Sequence, residues 1–187
     1  MNHIGTQTIE TERLILRRFR EEDAQAMFDN WASDDEVCKF LTWPTYRNVD
    51  GCRQYIAYVI NNYMNNHCYD WMIELKAIGQ PIGSIGVVDM DERIGWAEVG
   101  YCIGRNWWHQ GVMTEAFGAV IAFLFEQVGF SRVEARHDTN NPHSGDVMRK
   151  CGLQYEGTLR QRGWNNQGIN DVAYYGILRE EYLAGKK

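Results

Sequence analysis

The amino-acid sequence predicts an α+β fold in which one mixed, twisted sheet of about seven strands is flanked by helices. Three observations indicate this class: an opening strand precedes helices, three strands with short turns follow, and a strand–helix–strand unit leads to a helix and a hairpin. The 187 residues are enough for one domain with a buried core, and we see no linker, repeat or low-complexity segment. We therefore expect a single domain over residues 1–187.

The first half of the chain supplies the opening strand, the helices and the antiparallel strands. Residues 8–17 alternate apolar and polar side chains, which predicts a strand. A helix opening at Glu21, a short helix starting at Ser33 and a longer one over 50–65 follow, with apolar positions at helical spacing in the first and third. Three strands with turns between them are then predicted, over 69–76, 82–90 and 94–104.

The second half predicts a parallel pair of strands and a closing hairpin. An apolar helical stripe begins just after Gly111 and is followed by a strand over 132–137. A helix that joins two neighbouring strands in this way makes them parallel. A further helix begins near Pro142, and the strands 154–164 and 169–178 form a hairpin around a short polar turn.

The loop before the central helix is a candidate anion site. Gly111 has no Cβ, and the helix after it presents unpaired N–H groups and the positive end of its dipole. No lysine or arginine lies between Trp107 and Ala116, so backbone amides and the dipole would have to hold the anion. An ordinary strand–helix connection has the same pattern, and the P-loop and dinucleotide glycine motifs are missing here. The pattern alone leaves both interpretations open.

Three motifs resemble those of the GNAT acetyltransferases, in particular the RimJ/RimL-like branch. The segment 108–116, W-x-x-G-x-M-T-E-A, is similar to that superfamily's pyrophosphate loop in its tryptophan-led form. The segment 141–153, N-x-x-S followed by K-x-G-L, is similar to its second coenzyme motif, and 11–17, T-E-R-L-I-L-R, to the branch's opening strand. The resemblance spans about residues 9–182, and its strength lies in the order and spacing of the first two motifs.

The resemblance implies an enzyme that moves the acetyl group of acetyl-CoA to a primary amine, on a protein N-terminus or a small molecule, by direct attack in a ternary complex. Met113 stands where many members have Gly or Ala, and Met148 where many have a tyrosine that protonates the leaving thiolate. The residues implied to contact the coenzyme are Tyr101, Cys102, Ile103, Trp108, His109, Gln110, Gly111, Val112, Met113, Thr114, Asn141 and Ser144.

Glu98 and Ser144 are the candidate catalytic residues. Glu98 lies mid-strand before the loop, where the branch often has a glutamate, and is the candidate base; a solvated glutamate or an ion pair with an arginine such as Arg93 is the alternative. Ser144 is the candidate group that protonates or orients the sulfur, and its alternative is a hydroxyl bonded only to backbone. Asn141 fits a helix cap that also touches the pantetheine arm, and Trp108 fits core packing or ligand contact.

The acceptor side is expected in the N-terminal helices and the loop after them. Trp31, Trp43 and Tyr46, with the acids of 34–36, suit a cationic amine through cation–π and Coulomb attraction. Core aromatics beside a solvated acidic helix start explain the same residues equally well. A low-pKa α-amine is the expected acceptor in preference to a lysine side chain.

The bulk properties narrow the class of partner. A net charge of −6 argues against nucleic acid as the main partner, and with no signal peptide and no apolar run near ~18 residues we expect a cytoplasmic protein without a membrane partner. Five scattered cysteines fit free thiols, and the five histidines show no metal spacing, so no metal is expected. A monomer or a homodimer is expected. A non-catalytic acyl-CoA sensor or interaction module stays open, as does a different acyl donor, which Met113 favours.

Overall fold

The chain folds around one eight-stranded sheet in a computed structural model that describes residues 1–186. The sheet order is β1-β2-β3-β4-β5-β6-β8-β7, and every neighbouring pair is antiparallel except β5 and β6, which are parallel. This confirms the predicted α+β class and the parallel pair. The strands are β1 (Ile9–Glu10), β2 (Leu14–Arg17), β3 (Asp70–Leu75), β4 (Gln80–Asp91), β5 (Trp96–Ile103), β6 (Arg132–Asp138), β7 (Gln154–Asn165) and β8 (Gly168–Leu178).

Helices cover both faces of the sheet. The α-helices are α1 (Ala24–Met27), α2 (Asp35–Cys38), α3 (Val49–Asn62), α4 (Val112–Phe123), α5 (Pro142–Lys150) and α6 (Arg179–Gly185). A 3₁₀ turn (Glu21–Asp23) precedes α1, and a second one (Arg105–Trp107) precedes α4. Wider π-type turns (Phe28–Ala32 and Leu124–Val128) continue α1 and α4. Within residues 1–186, no helix has both the length and the apolar character needed to cross a membrane.

The opening segment differs from the single strand predicted over 8–17. The Thr11 N–H donates to the Leu14 carbonyl at 3.0 Å, and the Leu14 N–H donates to the Thr11 hydroxyl oxygen at 3.1 Å. These bonds turn the chain, so β1 folds back antiparallel on β2. This division of the predicted strand into β1 and β2 accounts for eight strands instead of about seven. A second difference is the C-terminal helix α6, which the sequence did not predict.

Two hydrophobic cores hold the layers together. The larger one lies between the sheet and α4, where Phe117 and Val120 have no exposed surface, and Ala97 and Val99 of β5 pack against them. The smaller one lies on the opposite face beneath α1 and α3. The strand β5 therefore has one face in the larger core and the other directed toward the N-terminal helices.

The strands β5 and β6 separate after a short paired stretch. Only residues 96–98 of β5 pair with 132–134 of β6, whereas the other edge of β6 pairs with β8 along all of 132–138. β4 carries an irregularity between Val87 and Asp89 where it pairs with the middle of β5. The second half of β5 is left without a neighbour on its β6 side, and this opening positions the site described below.

A buried ion cluster fixes the first helical turn to the sheet. The Arg17 guanidinium donates two bonds of 2.8 Å to the Asp23 carboxylate and one of 2.6 Å to Glu74. The side chains of Arg17 and Asp23 are 7% and 4% exposed, so both charges are removed from water and depend on each other.

Asp23→Ala should lower the free energy of unfolding by about 3–5 kcal/mol, because it leaves the Arg17 charge buried with one partner fewer. Urea unfolding measures this loss. Asp29→Ala, at an exposed position a few residues later, is the control and should change stability by about 0.5 kcal/mol or less. Equal effects of the two substitutions would contradict the cluster's role.

Candidate active site

Two cavities open where β5 and β6 separate. The first, the loop-side cavity, lies between the second half of β5, the loop after it and the first turns of α4 and α5. The second, the hairpin-side cavity, is bounded by β4, β5, β6, the β7–β8 hairpin and the loop after α2.

The two cavities meet at a common wall, which we call the junction. Two ligands that occupy the two cavities at the same time therefore meet at the junction. The hairpin tip is held against the loop after α2, because the Asn166 side chain donates to the carbonyls of Cys38 and Trp43 at 2.8 Å each. The residues that line both cavities are Phe40, Leu41, Tyr101, Cys102, Asn141 and Ser144.

The loop at Gly111 has the geometry of an anion site. Gly111 occupies the N-cap position of α4 in the left-handed region, with φ 72°, and no side chain caps the helix. The N–H groups of the first helical turn have no partners within the helix, and Val112, Met113 and Thr114 line the loop-side cavity. An anion in this cavity meets several N–H groups and the positive end of the helix dipole.

An arginine from the opening strands also reaches this loop. Arg13 donates from Nη1 to the Gln110 carbonyl at 2.9 Å and from Nε to the Glu115 carboxylate at 2.6 Å, and Thr11 donates its hydroxyl to the same carboxylate at 2.6 Å. A Cβ added at Gly111 would lie 3.7 Å from Arg13 Nη2. Arg13 is thus a cation beside the loop that the sequence did not indicate. It is paired with Glu115 and does not line the loop-side cavity, so the expectation that amides and the dipole hold the anion stays a prediction.

The carboxylate of Glu115 is the fixed end of this link. Its partial burial raises its pKa, but the hydrogen bonds from Thr11 and Arg13 outweigh this effect and hold the pKa below its ordinary value. The charged form of Glu115 is favoured, so the link between β1–β2 and the start of α4 is ionic.

Some aromatic and amide side chains of the loop line the cavity, and others contact only the protein. The ring of Trp108 lines the loop-side cavity, while its indole N–H donates to the Ile103 carbonyl at 2.9 Å. His109 also lines this cavity and has φ 58°, which is unusual for a residue with a Cβ. Gln110 donates its side-chain amide to Asn106 instead and is not part of the lining.

The two methionines that depart from the family pattern are packed into the protein. Met113 is 6% exposed and belongs to the larger core, so most of its side chain points away from the loop-side cavity that it borders. Met148 is 1% exposed in the same core. The burial of Met113 weakens the case that its side chain excludes the usual coenzyme. The burial of Met148 agrees with the expectation that this residue has no part in proton transfer.

A pair of hydroxyls occupies the junction. Ser144 donates its hydroxyl to the Tyr101 oxygen at 3.1 Å, and Tyr101 donates to the Ser144 carbonyl at 3.0 Å. Burial raises the pKa of Tyr101, so its proton is retained. Sequence reasoning assigned only main-chain contacts to Tyr101 and missed this hydroxyl. Asn141 sits at the N-cap of α5 without a side-chain cap bond, contrary to the expected cap, and its side chain lines the junction.

Glu98 lies in the lining of the hairpin-side cavity, at the last paired position of β5. Its side chain is 9% exposed, and its Oε1 atom is 2.8 Å from Nε of Arg136 on β6. Burial raises its pKa above the ordinary 4.5, and Arg136 opposes part of this rise. Arg93, the ion-pair partner considered from the sequence, binds Asp91 instead.

The hairpin-side cavity is also lined by ionisable groups that the sequence did not identify as site residues. Burial raises the pKa of Asp70 at the start of β3. At the end of β6, burial alone would raise the pKa of Asp138, but hydrogen bonds from the Asn140 amide and from Asn170 and Asn165 hold it below its usual range. In the sequence, the only indication of a role for Asp70 and Asp138 was their position at strand ends. The order of the strands in the sheet is what brings both to the same cavity.

The aromatic residues expected on the acceptor side separate into different environments. Trp43 lines the hairpin-side cavity and stacks on Tyr46, with ring centroids 5.5 Å apart. Tyr46 packs against the smaller core and is not in the cavity lining. Trp31 has no exposed surface and belongs to the smaller core, so its expected contact with the acceptor is wrong.

The acids near these aromatics are engaged in ion pairs. Asp34 is 2.9 Å from Arg105 of the loop before α4, and Asp35 is 2.9 Å from Arg47. The carboxylates expected to attract an amine are therefore largely neutralised by arginines, and the acids of the hairpin-side cavity are better placed for that task.

Comparison with known proteins relates this fold and site to one family. The model of the acetyltransferase (GNAT) domain matches residues 13–154. An uncharacterised N-acetyltransferase of Bacillus licheniformis is 31% identical to this chain over 94% of it and 98% of the relative. A ribosomal-protein alanine N-acetyltransferase of Escherichia coli is 27% identical over 79% of this chain and 78% of the relative.

The fold comparison agrees with the sequence comparison. A microcin self-immunity acetyltransferase, solved in complex with acetyl-CoA and AMP, superposes with a TM-score of 0.80 over 90% of this chain and 93% of its own, at 19% identity. The likeness at this identity concerns the fold, while the family model and the Bacillus relative concern the sequence itself. The chain therefore belongs to the GNAT acetyltransferase family, and it is an acetyltransferase.

Proposed function

We propose that this enzyme transfers the acetyl group of acetyl-CoA to a primary amine, and preferentially to an α-amine, by direct attack within a ternary complex. The observation that carries the proposal is the junction, where a cavity with an anion loop meets a cavity with a buried carboxylate. A donor and an acceptor bound at the same time bring their reacting atoms together there. Five free cysteines suit a reducing compartment, and we include a cytoplasmic location in the proposal.

The coenzyme occupies the loop-side cavity in this proposal. Its pyrophosphate lies against the amides after Gly111, with the Arg13 guanidinium nearby, and its pantetheine arm follows the unpaired edge of β5 at residues 101–103. This course directs the thioester toward Ser144 and Asn141 at the junction. The absence of a side-chain cap at α4 supports it, because an anion satisfies N–H groups that are otherwise left to water.

Gly111→Glu should abolish most acetyl-CoA binding, because it adds a negative charge and bulk where the pyrophosphate lies. Losing two charge-assisted hydrogen bonds of about 1.5–3 kcal/mol each lowers affinity by about 100-fold or more. Calorimetric titration of acetyl-CoA measures the loss. Gly79→Glu is a matched control, since Gly79 is exposed with φ 61° and shares the backbone strain without the site. Equal affinity in both variants would refute the anion loop.

The chemical step needs a base for the amine and a proton for the sulfur. The amine nitrogen attacks the thioester carbon, the C–S bond breaks, and Glu98 accepts the proton that the nitrogen loses, directly or through a water. The thiolate that leaves takes a proton from the hydroxyl pair of Ser144 and Tyr101, or is stabilised by its hydrogen bonds. The raised pKa of Glu98 makes it a stronger base than an exposed glutamate.

Glu98→Gln should lower kcat by about 10²–10⁴-fold with the KM for acetyl-CoA nearly unchanged, because the amide cannot accept the proton. Steady-state release of free thiol measures the rate, and a thermal melt verifies that the variant remains folded. If kcat of the variant stays within about threefold of the wild-type value, Glu98 is excluded as the base.

The partner of Glu98 provides the second arm of this test. The base acts only when it is ionised, so activity falls as pH drops through its pKa. Arg136→Gln removes the charge that lowers this pKa, so the acidic limb of the kcat profile should move to higher pH. Arg53→Gln, at an exposed position of α3 and paired with Asp50, should leave the limb in place. A limb that stays fixed in Arg136→Gln would contradict the assignment.

The acceptor class follows from the chemistry of the amine. An α-amine has an ordinary pKa of about 8 and lysine about 10.4, so one carboxylate base faces an easier task with an α-amine. The Escherichia coli relative is named for an alanine of a ribosomal protein, and the only amine of an alanine residue is its α-amine. Asp70, Asp138 and the Trp43 ring supply acidic and aromatic groups for a cationic acceptor before it loses its proton.

Peptides with one type of free amine test this preference. A peptide with a free α-amine and blocked lysines should be acetylated faster than an acetyl-capped peptide of the same sequence with free lysines. Thiol release and mass spectrometry measure rate and position. Faster reaction of the lysine peptide would refute the α-amine preference, and turnover of small amines alone would show that the acceptor is not a protein N-terminus.

A further inference from the structure

We propose that His3, His67 and Glu92 form a binding site for a divalent transition-metal cation, for which Zn²⁺ is the probe. Each residue offers one ligand atom, and the three atoms lie within 4.8 Å of one another. The carboxylate oxygen of Glu92 is 3.1 Å from Nδ1 of His67 and 3.7 Å from Nε2 of His3. The cluster lies apart from both cavities, since none of the three residues lines either one.

The two separations between Glu92 and the histidines match those of a metal site. Zn²⁺ binds imidazole nitrogen and carboxylate oxygen at about 2.0–2.2 Å in tetrahedral geometry, which places neighbouring ligand atoms about 3.4 Å apart. The two measured distances of 3.1 and 3.7 Å lie on either side of that value. Two imidazoles and a carboxylate are ligand types that Zn²⁺ accepts, and a water completes the fourth position.

The buried nitrogen of His3 is the second, independent observation. Among the residues that the structure describes, its Nε2 atom has no hydrogen-bond partner, although the side chain is only 9% exposed. An unsatisfied buried polar atom is costly, and a structure that retains one calls for an explanation. The atom faces Glu92 at 3.7 Å, too far for a hydrogen bond and well placed to share a cation with it.

The surroundings of His3 hold its ring as a metal ligand requires. Nδ1 lies 2.9 Å from the hydroxyl of the buried Tyr69, and with the proton on Nδ1 this hydroxyl accepts while Nε2 keeps a free lone pair. The ring stacks on His67 at a centroid distance of 4.0 Å and meets the edge of Phe130 at 5.9 Å. Because the lone pair of an imidazole lies in the plane of its ring, the more exposed His67 ring must rotate out of this stack for both imidazoles to bind one cation.

The three ligands belong to segments that are far apart in the chain. His3 is in the N-terminal segment, His67 in the connection between α3 and β3, and Glu92 in the turn between β4 and β5. A cation held by all three joins these segments and stabilises the folded state, because the unfolded chain does not present the same set. The lack of local spacing also explains why the sequence indicated no metal.

Zn²⁺ titration of untagged, chelator-treated protein tests the site by calorimetry. We expect one site per chain, with affinity at least tenfold lower in His67→Ala and in Glu92→Gln. His143→Ala is the matched control and should retain wild-type affinity, since His143 is also exposed and lies 3.7 Å from a carboxylate, that of Asp146. Tyr69→Phe, which removes the acceptor for His3, should weaken binding by about 10–100-fold.

Thermal melts give an independent readout. Zn²⁺ should raise the Tm of the wild type and of His143→Ala but not of His67→Ala or Glu92→Gln, two exposed positions whose substitution leaves the metal-free Tm nearly unchanged. Co²⁺ should give the visible absorption of a four-coordinate site in the wild type and in His143→Ala, but not in His67→Ala or Glu92→Gln. Absence of a binding heat, or equal affinity in His67→Ala and the wild type, would overturn the proposal.

Discussion

The separation of β5 from β6 after three paired residues determines where this protein can do chemistry. Backbone N–H and C=O groups of a buried strand must find partners, and beyond the paired stretch one edge of β5 has none in the sheet. That edge suits the amide-rich arm of a coenzyme. Glu98 occupies the last paired position, so it lies where the two strands begin to diverge, and Arg136, further along β6, reaches its carboxylate. Both cavities and the base that we assign follow from one interruption of pairing.

In the proposed mechanism, the donor and the acceptor bind in different cavities that share one wall. Both cavities are lined by β5, α5 and the loop after α2, but only the loop-side cavity is lined by the start of α4, and only the hairpin-side cavity by β4, β6 and the C-terminal hairpin. The junction is shared, and its hydroxyl pair belongs to β5 and α5. In this proposal a change of acceptor can arise in the hairpin while the groups that hold the coenzyme are kept.

Features fixed by local pattern could be predicted from the sequence, and features fixed by distant contacts could not. Strand alternation, the glycine at the start of α4 and the parallel pair follow from spacing and turn chemistry, and all three are present in the structure. The environment of Trp31 could not be predicted, because a helical aromatic stripe fits a core and a binding wall equally well. Arg13 was missed as a neighbour of Gly111, since a turn after β1 and the sheet order bring it there.

The link from Thr11 and Arg13 to Glu115 has a consequence for the order in which the protein assembles. Arg13 and Glu115 are 102 positions apart, so the bond between them closes a long loop of the chain. Closing this loop costs conformational entropy, and the contacts of the surrounding structure must offset that cost. The first turn of α4 therefore acquires its neighbouring guanidinium only after the N-terminal strands have docked. A partly folded chain presents the glycine turn without this cation, so under our proposal tight coenzyme binding belongs to the completed molecule. Binding of the coenzyme in turn favours the docked N-terminus by mass action.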